Sequence, residues 1–169
     1  RTQPLVRHVP APFTPEPLDV TLPLRILAVV SAPQGTQPLD SAAERQRLTD
    51  ALAGPVAKGL VELHWLTDGT WEAVQDSIAS GQWHVLHFIG HGAYDVAADH
   101  GLIALENADR TTNPVDPERL ADLLGATRGK TRLVVLNSCS SGAGGGRDLF
   151  SGVAAALVHD PPILILDEP

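Results

Sequence analysis

The 169-residue sequence has no methionine and a single cysteine, Cys139. One thiol excludes an internal disulfide and any zinc cluster built on cysteines. The missing methionine, together with Arg1 as first residue, leads to the expectation of a processed piece or fragment of a longer chain. Basic residues are also scarce, with 12 Lys and Arg against 20 Asp and Glu, a formal net charge of −8. That balance disfavours nucleic acid or an anionic membrane as the main partner and is compatible with a basic protein or peptide. No run reaches the roughly 18–20 apolar residues of a membrane span, and Arg1 to Asp19 lacks the apolar segment of a secretory signal. A lone thiol without an export signal points to a reducing, cytoplasmic setting. What remains is the composition of one ordered domain, 43% apolar and 19% charged, long enough to bury a full core.

Six prolines fall in residues 1–23. Proline fixes φ and removes a donor, so this stretch is expected to be an extended linker to an upstream domain. The globular unit is expected from Leu24 to the end of the chain. Leu24 to Ser31 (LRILAVVS) is a short apolar, β-branched run, the signature of a buried strand. Leu39 to Lys58 places Leu48, Leu52 and Val56 at helical spacing, which predicts a helix with one buried stripe, capped by Asp40 or Ser41. Leu60 to Leu66 alternates and predicts a strand. Thr70 to Ser80 predicts a helix with Thr70 as N-cap and Gly81 after its end. His84 to Ile89 predicts a third strand that ends in a turn at Gly90-His91-Gly92. Leu102 to Glu106 predicts a short strand, one arm of a hairpin. Asp116 to Leu124 predicts a helix, capped by Asp116 and opened by Pro117. Thr131 to Leu136 predicts the fourth main strand, Leu149 to Val158 a helix, and Pro162 to Leu166 a fifth strand. Strands and helices that alternate in this way predict an α/β fold: a mostly parallel sheet with helices on both faces, a three-layer sandwich.

In such sheets, functional groups sit beyond the carboxyl ends of the strands. His91 follows the third predicted strand and Cys139 follows the fourth. If these strands are neighbours, about 4.8 Å apart, both side chains emerge at one edge. A thiol with an ordinary pKa near 8.5 is mostly protonated at neutral pH, and an adjacent imidazole takes its proton or stabilises the thiolate. The amides of Gly92 and Cys139, outside the predicted ladders, are free to face an oxyanion. A cysteine or histidine taken alone is more often packing than chemistry. It is the shared position after two strands that lifts this pair. The other histidines are scattered, and His87 with His91 lacks the helical spacing of a ligand pair, so no metal site and no cofactor are expected. Trp65, Trp71 and Trp83 are expected to pack. The glycine-rich segment 142–146 is expected to be an active-site flap.

His87-Phe88-Ile89-Gly90-His91-Gly92 and Leu136-Asn137-Ser138-Cys139-Ser140-Ser141-Gly142 resemble the paired motifs of the CHAT domains, caspase-like cysteine peptidases related to metacaspases, separases and gingipains. The resemblance runs from about Leu24 to Val158. It implies a caspase-like sheet, with His91 as catalytic histidine, Cys139 as nucleophile, and the Gly92 and Cys139 amides as oxyanion hole. It also implies a protein or peptide substrate, an upstream helical-repeat or sensor domain joined through residues 1–23, and a bacterial signalling or defence setting. Metacaspase relatives carry an aspartate two residues before the cysteine that helps select a basic P1 side chain. Here Asn137 stands in its place and offers a hydrogen bond without a charge, and Asp95, Asp99 and Asp148 are alternative acids.

A caspase-like domain continues past its fifth strand, so the chain is expected to be incomplete at its C-terminus. This leaves a second reading, a catalytically silent interaction or switch module. A third, minor reading comes from the tail DPPILILDEP, which resembles a Walker B segment with Asp167 on magnesium and Glu168 on the attacking water. The phosphate cradle that would accompany it is missing, and a fifth strand accounts for the tail without nucleotide.

Overall fold

The computed structural model describes residues 20–95, 97, 100–126, 130–138 and 163–167. The predicted linker falls mostly outside these residues, as do Cys139, the glycine-rich segment, the predicted helix Leu149 to Val158, and Glu168.

Among the described residues, seven strands and three helices follow in the order β1 (Leu24–Val30), α1 (Ser41–Ala57), β2 (Val61–Trp65), α2 (Trp71–Ser80), β3 (Val85–Asp95), β4 (His100–Glu106), β5 (Thr112–Val115), α3 (Pro117–Ala126), β6 (Leu133–Ser138) and β7 (Ile163–Asp167). Five strands form a parallel array in the order β2-β1-β3-β6-β7. β4 pairs antiparallel with the second half of β3, and β5 pairs antiparallel with β4. The predicted α/β architecture holds, and it is that of a caspase-like sandwich.

The topology explains the layers. The chain steps from β1 outward to β2, then reverses past β1 to β3. Right-handed crossovers then put α1 and α2 on opposite faces of the sheet. One face carries Leu27 and Val29 of β1, Leu86 and Phe88 of β3, and Val134 and Leu136 of β6. These pack against Trp71, Val74 and Ile78 of α2 and Leu120 and Leu124 of α3. The opposite face buries Ile26, Ala28, Val85 and Ile89. α1 lies over this second face, where the Arg45 guanidinium stacks 4.7 Å from the centroid of the Trp65 ring and Trp65 is the register partner of Ala28. Strands buried on both faces read as continuous apolar runs, which is why β1 was recognisable from LRILAVV.

Local signals hold at the helix ends. Asp40 caps α1, its Oδ1 accepting from Ala43 N at 3.0 Å. Thr70 caps α2 through Ala73 N at 3.3 Å, and Asp116 Oδ1 accepts from Glu118 N at 2.8 Å at the start of α3. The tail is a fifth parallel strand, β7, in register with β6. Trp71 is in the core and Trp83 packs against it.

Two expectations need correction. The stripe on α1 is not buried: Leu48 and Leu52 are half-buried, Val56 is 43% exposed, and no residue of α1 is fully buried. α1 rests chiefly on the edge strand β2, so its apolar side meets a rim, not the middle of a sheet. The second correction concerns Gly90-His91-Gly92, which is not a turn. β3 runs straight through it to Asp95.

Candidate active site

β3 changes partners at the Gly90-His91 step. Up to Ile89 it pairs with β1, the last register pair being Val30 with Ile89. From His91 onward it pairs with β4, beginning with His91 opposite Ala104. Two bonds show that β4 occupies the edge that β1 vacates. The Ser31 hydroxyl donates to the Ala104 carbonyl at 2.9 Å, and the Ala32 amide donates to Glu106 Oε1 at 2.9 Å. The opposite edge of β3 belongs to β6 as far as Gly90.

Gly90 is required here by space. A Cβ at this position would lie 2.5 Å from Phe88 Cζ and 2.8 Å from the Ser31 carbonyl oxygen, closer than any real side chain packs. The sequence pattern predicts a turn at this motif. For Gly90 the cause is the tight crossing of β3 past the end of β1.

His91 is 7% exposed. Its Nε2 is buried with no hydrogen-bond partner among the described residues. A buried ring nitrogen left without a partner is costly, and natural structures keep few of them outside functional sites. Cys139 lies outside the described residues, but the residue before it is described. Ser138, the last residue of β6, is in register with Gly90, the residue before His91. Neighbouring strands are about 4.8 Å apart and successive Cα atoms about 3.8 Å. The Cα atoms of His91 and Cys139 therefore cannot be more than about 12 Å apart, whatever path follows Ser138.

Gly92 lies opposite Ile103 in the antiparallel ladder, which corrects the premise that its amide is outside any ladder. Pairing of this kind engages amides only at alternate positions. Asn137 is half-buried, and its Nδ2 donates to Glu44 Oε2 in the first turn of α1 at 3.5 Å. Glu44 is in turn ion-paired with Arg47, and Asn137 has Asp167 as its register partner on β7. Of the three alternative acids, Asp99 and Asp148 lie outside the described residues. Asp95 is at the far end of β3, its Oδ1 accepting from Ala97 N at 2.8 Å.

Sequence reasoning missed the residues that brace the site. Ser31 is fully buried. The Glu106 carboxylate joins the exit of β1 at Ala32 to Arg110 of the β4–β5 turn, at 3.4 Å. The Glu106 amide donates to Gly69 O at 3.0 Å, which adds the entry to α2. The available signal was a hydroxyl and a carboxylate ending two apolar runs, and it does not say what they reach. Among the described residues, no three His, Cys, Asp or Glu side chains converge as a metal site requires. No described helix is long and apolar enough to cross a membrane.

A parallel five-stranded array, an antiparallel hairpin inserted after a histidine-bearing strand, and a cysteine just after the adjacent strand define a caspase-like domain. The family model for the CHAT domain matches residues 3–160. The chain belongs to the CHAT domain family, a caspase-like group related to cysteine peptidases. No curated protein matches the chain.

Proposed function

We propose that this chain is a cysteine endopeptidase domain that works through a His91–Cys139 dyad. The observation that carries this reading is the register of Gly90 with Ser138. His91 and Cys139 are the residues that next follow this pair along the chain, at the carboxyl end of the parallel array. The Cys139 sulfur attacks the scissile carbonyl carbon and forms a thioester, and the peptide C–N bond breaks. His91 holds the thiol proton and delivers it to the leaving amine. Water then attacks the thioester, with His91 taking its proton, and the acid product leaves as the thiol is restored. The Gly92 and Cys139 amides stabilise the negative oxygen of each tetrahedral intermediate, and such a donor is typically worth about 3–4 kcal/mol. Asn137 offers the P1 side chain a neutral hydrogen bond. Residues 1–23 join the unit to an upstream helical-repeat or sensor domain, and the protein acts in the cytoplasm.

The test is hydrolysis of a fluorogenic peptide library by the chain and by the longer protein containing it, with Cys139→Ala and His91→Ala as controls. Cleavage that either substitution abolishes is the expected result. Cleavage that survives Cys139→Ala overturns the dyad. Absence of cleavage in both forms, with Cys139 reacting with iodoacetamide no faster than free cysteine, overturns the peptidase reading in favour of a silent interaction module.

A further inference from the structure

We propose that Ser31 is a positioning residue for His91, a role that rests on the reading of His91 as the proton carrier of the dyad. At the step where β3 exchanges β1 for β4, neither ladder spans the junction. The β1 ladder stops at Ile89 and the β4 ladder starts at His91. Ser31 bridges that gap on three sides. Its amide donates to the Ile89 carbonyl at 2.9 Å. Its hydroxyl donates to the carbonyl of Ala104, the register partner of His91, at 2.9 Å. Its own carbonyl oxygen fills the space that a Cβ on Gly90 would take. A single fully buried residue thus bonds to Ile89, lies close against Gly90 and bonds to the residue opposite His91.

The imidazole depends on this frame. Its Nε2 has no hydrogen-bond partner among the described residues, so that side of the ring is held by packing and by the position of the backbone. A buried hydroxyl is tolerated when it is bonded, and here the bond it makes is one of the two that join the exit of β1 to β4, the other running from the Ala32 amide to Glu106. Without the hydroxyl, Ala104 keeps its place opposite His91 in the ladder but loses its tie to the end of β1, and the start of the β3–β4 pairing is less firmly fixed. Displacements well under the size of an atom cost reaction rate out of proportion to stability.

The single cysteine makes thiol alkylation a one-site assay. The pH profile of iodoacetamide labelling is measured on the full chain for the parent, Ser31→Ala, Ser31→Thr, Gly90→Ala, His91→Ala and Ile78→Val, together with Tm and with kcat and KM on a cleaved peptide. Ile78 of α2 is buried in the core, and its truncation supplies a loss of stability without altering Ser31 or Gly90. His91→Ala is expected to move the labelling profile up to that of an ordinary thiol, near pH 8.5. Ser31→Ala moves it part of the way and lowers kcat by about ten- to a hundredfold, with KM changed by less than about twofold. Ser31→Thr, which keeps the hydroxyl, returns the profile towards the parent. Gly90→Ala presses on the same bridge and shifts the profile in the same direction, so the proposal stays testable should Ser31→Ala not fold. Ile78→Val lowers Tm and leaves the profile in place. A profile for Ser31→Ala or Gly90→Ala that coincides with the parent, while His91→Ala moves, overturns the positioning role alone. A shift for Ile78→Val as large as for Ser31→Ala reduces the effect to general loosening and overturns it equally. If His91→Ala leaves the profile unchanged, the dyad itself fails and the proposal with it.

Discussion

Two histidines seven residues apart, His84 just before β3 and His91 within it, occupy opposite poles of the parallel-paired stretch of that strand and have opposite hydrogen-bonding fates among the described residues. At the amino pole His84 is woven into three strands. Its Nδ1 accepts from the Arg25 amide at 2.9 Å, its own amide donates to the Arg25 carbonyl at 2.9 Å, and its carbonyl accepts from the Arg132 amide at 3.0 Å. Nearby, the Thr131 hydroxyl donates to the Trp83 carbonyl and the Trp83 ring N–H to the Ser77 carbonyl. At the carboxyl pole, His91 is buried with Nε2 bonded to nothing described. The same side chain therefore serves as a structural acceptor at one end and as an unsatisfied group at the other. The two differ in burial, His84 half-buried and His91 buried, and in the side-chain hydrogen bonds they make among the described residues.

Substitutions can break this contrast. The largest effect is expected for His91→Ala: peptide hydrolysis falls by about a thousandfold or more, while Tm falls only by the cost of the cavity the buried ring leaves, since Nε2 has no hydrogen bond among the described residues to lose. A collapse of Tm comparable to the loss of activity would place His91 with the structural group. Next comes Gly90→Ala, whose new methyl meets the Ser31 carbonyl and the Phe88 ring. Overpacking of this kind costs about 1–3 kcal/mol, read as a lowered urea midpoint. His84→Ala removes the acceptor for the Arg25 amide and should cost about 1–2 kcal/mol, with the turnover of the folded fraction unchanged. Loss of turnover beyond the loss of folded protein would erase the distinction between the poles.

The smallest effect is one of pH. Burial, and then the charge of Arg25, hold the pKa of His84 below the ordinary imidazole value. The unfolded chain therefore takes up this proton before the folded one does. The contribution of His84 is complete above the unfolded pKa of about 6.5 and is lost as pH falls through the lower folded value. Urea midpoints taken between pH 7.5 and 5 should show this decline, and His84→Asn should flatten it, since its side-chain oxygen accepts the same bond without titrating. A slope unchanged in His84→Asn would assign the acid sensitivity to other groups.

The site was legible in part. His91 and Cys139 stood out because each follows a recognisable apolar run, and the pairing of β3 with β6 brings the ends of those runs together. The bracing by Ser31 and Glu106 was not legible, because it joins residues 73 and 74 positions apart and no local pattern records such a reach. Gly90-His91-Gly92 read as a turn because glycine favours turns on local grounds. The strand continues because β4 supplies new backbone partners at the point where β1 ends.

Sequence by itself determined the elements whose causes are local: the apolar strands, the caps at Asp40, Thr70 and Asp116, the fifth strand in the tail, and the two motifs at strand ends. Tertiary structure alone decided which edge of β3 each neighbour takes, why Gly90 must be glycine, how little of α1 is buried, and that His91 is sealed while His84 is bonded. The division has a physical reason. Propensity and capping act within a few residues, whereas burial and hydrogen-bond satisfaction depend on which distant segments the sheet brings together.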